Sequence, residues 1–200
     1  PFPPILREAT GAQLTDVDGC RYADFCLGDT GAMFGHSPPA VAQAVALQAA
    51  RGLTAMLPGE RAAEVGEGLA RLFGLPFWQM TQTATDANRA ALRWARAITR
   101  RAQTLVFRGC YHGTVDEIML RPGGIGTAID VRASALAVEF DDLAGVEAAL
   151  RTGDIAALLY EPVMTNAGMV LPQPGLHVAL RDLTRRHGAL LIVDETHTLS

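Results

Sequence analysis

Short apolar runs alternate with helix-like segments along most of this 200-residue chain, and this alternation limits the possible folds more than any other feature. The runs lie at 77–80, 104–107, Ile155–Tyr160 and Leu190–Val193. The segments between them are long enough for crossover helices, which favours parallel strands. The sequence therefore predicts an α/β fold with a mostly parallel sheet and flanking helices.

Helices are predicted at 39–51, 59–73, 86–101 and 174–188. In the third of these, one face is expected to pack on the sheet and the opposite face to be solvated. The apolar face consists of Ala91, Trp94, Ala95 and Ile98, and the solvated face of Arg89, Arg93, Arg96 and Arg100.

The first 50 residues differ from the rest. Residues 10–25 contain short β-like pieces around a turn, Asp16-Val17-Asp18-Gly19, whose Asp and Gly residues tolerate the backbone angles of a tight reversal. The sequence predicts an N-terminal arm ending in the first helix, 1–50, and a separate domain, 51–200.

Composition and charge argue against several classes of function. The net charge is −4 and the 17 basic residues are scattered, which predicts no nucleic-acid partner and no membrane partner. No apolar run approaches the roughly 20 residues of a membrane span, and the start, Pro1-Phe2-Pro3-Pro4, lacks a signal-peptide pattern. Three cysteines without metal-ligand spacing favour reduced thiols in the cytoplasm.

Two candidate ligand sites lie on segments beside the strands, and in an open α/β sheet ligands bind beyond the carboxyl ends of the strands. Hydroxyl and small side chains at 81–88 lead directly into a helix, so backbone N–H groups there could bind a phosphate. Plain N-capping by Thr83, Thr85 or Asp86 is the commoner explanation of such a pattern. Tyr111-His112-Gly113 could stack on a planar cofactor or form an ordinary loop.

Carboxylates follow the two later strands. Glu161, with Asn166 nearby, follows a strictly apolar strand and should have a specific hydrogen-bonding partner, in either a structural or a functional role. Asp194 and Glu195 end the run that looks most buried. Metal binding, a ring nitrogen and a helix cap all remain open for Asp194.

Taken together and in order, these segments resemble the class III aminotransferase family of fold type I enzymes that use pyridoxal 5′-phosphate (PLP). The resemblance starts at the Asp16-Val17-Asp18-Gly19 turn, covers nearly the whole chain and is closest to glutamate-1-semialdehyde aminomutase-like members. It is especially close at Gly109-Cys110-Tyr111-His112-Gly113 and at 174–195. It implies that 51–200 is the front part of a PLP-binding large domain and that 1–50 is an arm or small-domain segment. The remainder of the large domain and a C-terminal small domain would lie outside this chain.

The resemblance also implies roles for individual residues. Asp194 would pair with the protonated ring nitrogen of PLP and Tyr111 would stack on one ring face, which makes these two the candidate catalytic residues. No metal is implied. The other implied cofactor-binding residues are Ala84 and Thr85 at the phosphate, His112 beside the ring, Glu161 and Asn166 bracing the pocket, and Thr196 at the second ring face.

The chain departs from the family pattern in three places. Thr83-Ala84-Thr85-Asp86 replaces the family's Ser-Gly-Thr-Glu or Ser-Gly-Ser-Glu, and Thr196 replaces a valine, so its hydroxyl must find a partner. All of the basic residues are arginine, so the lysine that forms the Schiff base in the family is expected downstream of this chain.

The predicted function is that of a PLP-dependent aminotransferase, a homodimer that transfers an amino group from an amino acid or amine to a keto or aldehyde acceptor. A glutamate-1-semialdehyde-type 2,1-aminomutase is the alternative within the family. From other classes, a lysine-free, non-catalytic module that binds a phosphate ligand or a partner remains possible, as does a metal site built on Asp194 and Glu195.

Overall fold

The chain divides into two compact units, Pro1–Trp78 and Gln79–Ser200. The structure is a computed structural model that describes residues 3–115, 118 and 134–199. The predicted assignment of 1–50 and 51–200 to different parts of a larger protein is not tested by this division and stays a prediction.

The first unit begins with a small antiparallel sheet, as the turn residues predicted. The Asp16 carboxylate accepts hydrogen bonds from the backbone N–H groups of Asp18 and Cys20, at 3.0 and 2.8 Å, which stabilises the reversal between the second and third strands. The three strands are β1 (Leu6–Thr10), β2 (Gln13–Asp16) and β3 (Arg21–Ala23), paired in that order.

Two helices complete the first unit. Helix α1 (Pro39–Ala49) starts on a proline, which suits the first turn because the missing N–H has no helical partner there. Helix α2 (Ala62–Phe73) ends at Gly74 in the left-handed conformation. Neither helix has a buried residue in the described part of the chain.

The second unit contains a four-stranded parallel sheet with helices packed on it, and this confirms the predicted fold class. The strand order is β5-β4-β6-β7, and each neighbouring pair is parallel. The elements are, in chain order, α3 (Ala84–Thr99), β4 (Gln103–Phe107), β5 (Ala135–Val138), α4 (Leu143–Leu150), β6 (Ile155–Tyr160), α5 (Leu176–His187) and β7 (Leu190–Val193).

Strand β6 is the buried centre of this sheet. All six of its residues are buried, and Ile155, Leu158 and Leu159 are completely inaccessible. The prediction that the last strand is the most buried is wrong. Strand β7 is only half-buried because it pairs with β6 on one side and with no described residue on the other.

The buried face of helix α3 overlaps only partly with the predicted one, because Ala95 belongs to both. Its buried residues are Asn88, Leu92 and Ala95, which recur at helical spacing. Trp94 and Ile98 lie to one side of this face and are 67% and 63% exposed, so placing them on the sheet was wrong. The periodicity of the sequence is compatible with burial of either face, because alanines occur on both sides of the helix.

Residues 77–80 do not form the strand predicted from their apolar run. No described residue pairs with them, and a strand needs a neighbour for its backbone hydrogen bonds. Phe77 is therefore 90% exposed and Met80 66% exposed.

Within the described residues, no helix has both the length and the apolar character required to cross a membrane.

Candidate active site

The carboxyl edge of the parallel sheet brings together polar residues that are far apart in the sequence. His112 follows β4, Glu161 follows β6 and Asp194 follows β7. Parallel strands end at the same edge of a sheet, so their following loops meet there. The N-terminus of α3 reaches the same place, because the Thr114 N–H donates to the Thr85 hydroxyl at 3.2 Å.

A buried ion pair lies at the centre of this edge. His112 Nδ1 is 2.8 Å from Asp194 Oδ2, and the two side chains are only 1% and 8% exposed. The pair spans the end of β6, because His112 and Asp194 follow strands that lie on either side of it. Two oppositely charged groups held this closely stabilise each other's charged forms.

The pKa values of the pair move in opposite directions. Burial alone lowers the pKa of His112, but hydrogen bonds and charge interactions with Asp194 and Cys110 outweigh it and raise the pKa to about 9. Burial opposes ionisation of Asp194, yet the hydrogen bonds from His112, Thr196 and Asn88 outweigh it and hold the pKa of that carboxyl far below its usual value. At neutral pH the site therefore holds an ionised Asp194 beside a protonated His112.

Asn88 is a residue of this site that sequence reasoning missed. Its amide Nδ2 donates to Asp194 Oδ2 at 2.9 Å and to the carbonyl oxygen of His112 at 3.2 Å. It lies on the buried face of α3, with 6% of the residue exposed. A polar residue on the buried face was the available signal, but only once that face had been identified correctly.

The hydroxyl of Thr196 finds its partner within the site. It donates to Asp194 Oδ1 at 2.6 Å, and the Thr196 N–H donates to the same oxygen at 3.2 Å. The departure from the family's valine thus places one more donor on the Asp194 carboxylate.

Glu161 anchors the loop that carries Tyr111. Its Oε1 accepts the Tyr111 N–H at 3.2 Å, and its Oε2 accepts the N–H and the hydroxyl of Thr165 at 3.2 and 3.0 Å. These donors are the specific partners that a carboxylate 6% exposed requires. Tyr111 is 41% exposed, so much of its side chain remains accessible.

Thr165 and His197 are two further residues that the sequence did not single out. The Thr165 hydroxyl lies 2.7 Å from His197 Nδ1 and joins the segment after β6 to the segment after β7. Asn166, which the resemblance places in the pocket wall, is exposed and donates to the Thr165 hydroxyl at 3.4 Å. Nothing in the local pattern around residue 165 or 197 indicated this contact.

The start of α3 shows which residue caps the helix. The Thr83 hydroxyl accepts the Asp86 N–H at 3.1 Å and donates to the Asp86 carboxylate at 2.9 Å, so Thr83 is the N-cap. The N–H groups of Ala84 and Thr85 have no acceptor among the described residues. Those two donors are therefore available to an anion.

Gly113 lies directly against this helix start. It has φ +78, and a Cβ built on it would lie 2.0 Å from Thr85 Oγ1 and 2.9 Å from Thr85 Cβ. Only glycine allows so close an approach between the loop after β4 and α3.

We expect Gly113→Ala to lower the free energy of unfolding by about 2–4 kcal/mol, from backbone strain and the contact with Thr85 together. Gly153→Ala is the matched control, since Gly153 has φ +81 and nothing within 4 Å of its would-be Cβ. The free energies of unfolding of both variants in urea separate the cost of the contact with Thr85 from the cost of a positive φ, which the two positions share. Equal losses in the two variants would contradict a tight approach at Gly113.

The residues present fit a phosphate-bearing ring cofactor. The Thr85 hydroxyl and the N–H groups of Ala84 and Thr85, which have no acceptor among the described residues, suit the phosphate. The ionised Asp194 suits a protonated ring nitrogen. The described residues contain no group of three or more His, Cys, Asp or Glu that could hold a metal ion.

Comparison with known proteins places these features in a family. The family model "Aminotransferase class-III" matches residues 1–123 and 125–198. The chain is 40% identical to the glutamate-1-semialdehyde 2,1-aminomutase of Roseiflexus castenholzii over 98% of this chain and 48% of that protein. The chain spans about half the length of the curated relatives it matches.

The solved structures that resemble this chain are likewise aminomutases and aminotransferases. The glutamate-1-semialdehyde-aminomutase of Pseudomonas aeruginosa PAO1 is 51% identical, with TM-score 0.95, covering 98% of this chain and 46% of that one. A second structure of that protein, in complex with PMP, gives TM-score 0.89. The β-phenylalanine aminotransferase of Variovorax paradoxus is 32% identical, with TM-score 0.87, covering 99% and 46%.

Proposed function

The chain belongs to the class-III aminotransferase family, and on this basis we propose that its parent protein, the longer protein containing these residues, is a PLP-dependent aminotransferase. The observation that carries the proposal is the Asp194 carboxylate, held ionised by His112 at the carboxyl edge of the sheet. We propose that it transfers an amino group from an amino acid or amine to a keto or aldehyde acceptor.

Each cofactor contact that we propose uses a described residue. The N–H groups of Ala84 and Thr85 and the Thr85 hydroxyl would bind the phosphate, which is supported by the absence of an acceptor for those N–H groups within the described ranges. Asp194 would hold the proton on the ring nitrogen. The proposed neighbours of the ring are Tyr111 on one face, Thr196 on the other and His112 beside Asp194, while Glu161 and Asn166 would brace the wall.

The chemistry depends on where protons are held. When bound, PLP supplies an electron-withdrawing ring that stabilises negative charge on the substrate carbon. Asp194 keeps a proton at the ring nitrogen, and His112 and Asn88 orient its carboxylate. The amine that binds the cofactor covalently and moves the substrate proton is not supplied by these 200 residues, which contain no lysine.

An aminomutase is the second candidate. The relatives that support it are the aminomutases at 40% and 51% identity. Its reaction uses the same site and differs in whether the amino group leaves with a product or returns to a neighbouring carbon of the same molecule. Product analysis separates the two activities.

We further propose a cytoplasmic homodimer. An unpartnered apolar helix supports a second subunit: α1 has no buried residue, and its Val45 and Leu47 are 56% and 64% exposed. The free, exposed thiols of Cys20 and Cys26 support a reducing compartment. Sedimentation velocity of the parent protein checks the assembly, and a monomer would contradict it.

The proposed function is tested by intact mass and absorbance. We expect the protein that carries these residues, purified from its natural source, to exceed the mass of 200 residues, to gain a visible absorbance band with PLP and to retain a covalent adduct after borohydride. A protein with the mass of these 200 residues and no adduct would favour the non-catalytic, phosphate-binding alternative. An adduct that forms without amino transfer to any acceptor would favour the aminomutase.

A further inference from the structure

A chain of hydrogen bonds joins the Tyr111 loop to the segment after Asp194. It runs from the Tyr111 N–H to Glu161, from Glu161 to the Thr165 hydroxyl, and from that hydroxyl to His197 Nδ1. The three contacts measure 3.2, 3.0 and 2.7 Å. We refer to Glu161, Thr165 and His197 as the relay.

The donors and acceptors of the relay follow from its geometry. The backbone N–H groups of Tyr111 and Thr165 can only donate, so Glu161 accepts at both carboxylate oxygens. The Thr165 hydroxyl gives its single proton to Glu161 Oε2. Its oxygen must therefore accept from His197, which places a proton on Nδ1 of that ring.

The relay connects residues next to the two proposed faces of the cofactor ring. Tyr111 is held directly by Glu161, and Thr196 precedes His197 in the chain. Glu161 is buried, with 6% of the residue exposed, and Thr165 and His197 are half-buried. The Glu161 end of the relay is thus shielded from water, and the hydrogen bonds of the relay tie the two segments together.

We propose that Thr165 and His197 are positioning residues that set the separation between Tyr111 and Thr196, and so the affinity for PLP. The inference rests on the proposed function. Neither residue is proposed to touch the reacting atoms. They act through Glu161 on Tyr111 and through the chain on Thr196, by ordering both segments before the cofactor binds.

Substitutions that break the relay should weaken cofactor binding. We expect Thr165→Val and His197→Phe in the parent protein each to raise the Kd for PLP about fivefold to tenfold, as for loss of one buried hydrogen bond. Thr165→Ser keeps the hydroxyl, and His197→Asn keeps a donor near the position of Nδ1. Both conservative variants should stay within about twofold of the wild-type Kd.

A double-mutant cycle separates positioning from general destabilisation. Both substitutions break the same series of hydrogen bonds. The double variant Thr165→Val/His197→Phe should therefore bind PLP no more weakly than either single variant. Absorbance titration of the cofactor-free parent protein with PLP gives the Kd, and thermal melting of the cofactor-free protein reports any structural damage. Asp182→Asn, at an exposed position of α5 with no hydrogen bond to the relay, is the control and should leave the Kd unchanged.

The outcomes distinguish the two proposals. A parent protein that does not bind PLP at all overturns the proposed function and, with it, this inference. A wild-type protein that binds PLP normally, with unchanged binding in His197→Phe or Thr165→Val, overturns only the inference. Additive effects in the double variant, or no rescue by the conservative substitutions, would likewise overturn it. Thr165→Val changes a hydroxyl to a methyl group, so it remains informative if His197→Phe fails to fold.

Discussion

Asp194→Asn in the parent protein should still bind PLP but should lose turnover by about 10²–10³-fold, the usual loss when a buried electrostatic contact to the reacting system is removed. An amide cannot keep a proton on the ring nitrogen as a carboxylate does. Its oxygen can still accept from Thr196, and its NH₂ group can donate to a neutral His112. That NH₂ group cannot accept from Asn88, so the variant should fold with a lower free energy of unfolding.

The measurement is kcat for amino transfer, together with the absorbance of the bound cofactor. Asp182→Asn is the matched control, because Asp182 is exposed on α5 and contacts none of the site residues described above. It should leave kcat unchanged. Full turnover in Asp194→Asn would refute the role assigned to this carboxylate.

His112→Leu should lower the free energy of unfolding by about 3–5 kcal/mol, because it leaves Asp194 buried without its charged partner. His112→Asn keeps a hydrogen-bond donor near Nδ1 but removes the charge. It should lose less stability than His112→Leu. Urea unfolding of the cofactor-free parent protein at one pH gives both values.

The same pair predicts a pH dependence. The pKa of His112 rises from 6.5 to about 9 on folding, so protonation of His112 stabilises the folded state by up to about 3 kcal/mol. This contribution is fully present below about pH 6.5 and is lost as the pH rises through 9. The contribution of Asp194, whose pKa is lowered, is present above its usual value of 3.8 and is lost as the pH falls below it.

The free energy of unfolding, measured between pH 6 and pH 10, tests this pH dependence of stability. The wild-type protein should lose stability over that range relative to both His112 variants, since neither carries the titrating ring. Parallel pH profiles for wild type and His112→Asn would show that folding does not raise the pKa of His112.

Local sequence patterns predicted much of the fold. The run Ile155–Tyr160 is strictly apolar and is the fully buried strand, and the prolines at 38 and 39 open a helix as predicted. The strand predicted at 77–80 does not form, because an apolar run becomes a strand only where a neighbouring strand completes its backbone hydrogen bonds. The prediction that Trp94 packs on the sheet is wrong, because periodicity predicts a helix more securely than it predicts which face of the helix is buried.

The sequence by itself determined the α/β class and the presence of Tyr111, Glu161 and Asp194 just beyond three strand ends. Local residue patterns suffice for this, because alternation of strands and helices implies parallel strands whose ends share an edge.

Only the tertiary structure decided how these residues are paired. The contacts of Asp194 with His112 and Asn88 join positions 82 and 106 residues apart, and the contact of His197 with Thr165 joins positions 32 apart. Such contacts depend on the strand order β5-β4-β6-β7 and on which face of α3 is buried. No local pattern contains that information, because hydrogen-bond partners are set by proximity in space rather than by spacing along the chain.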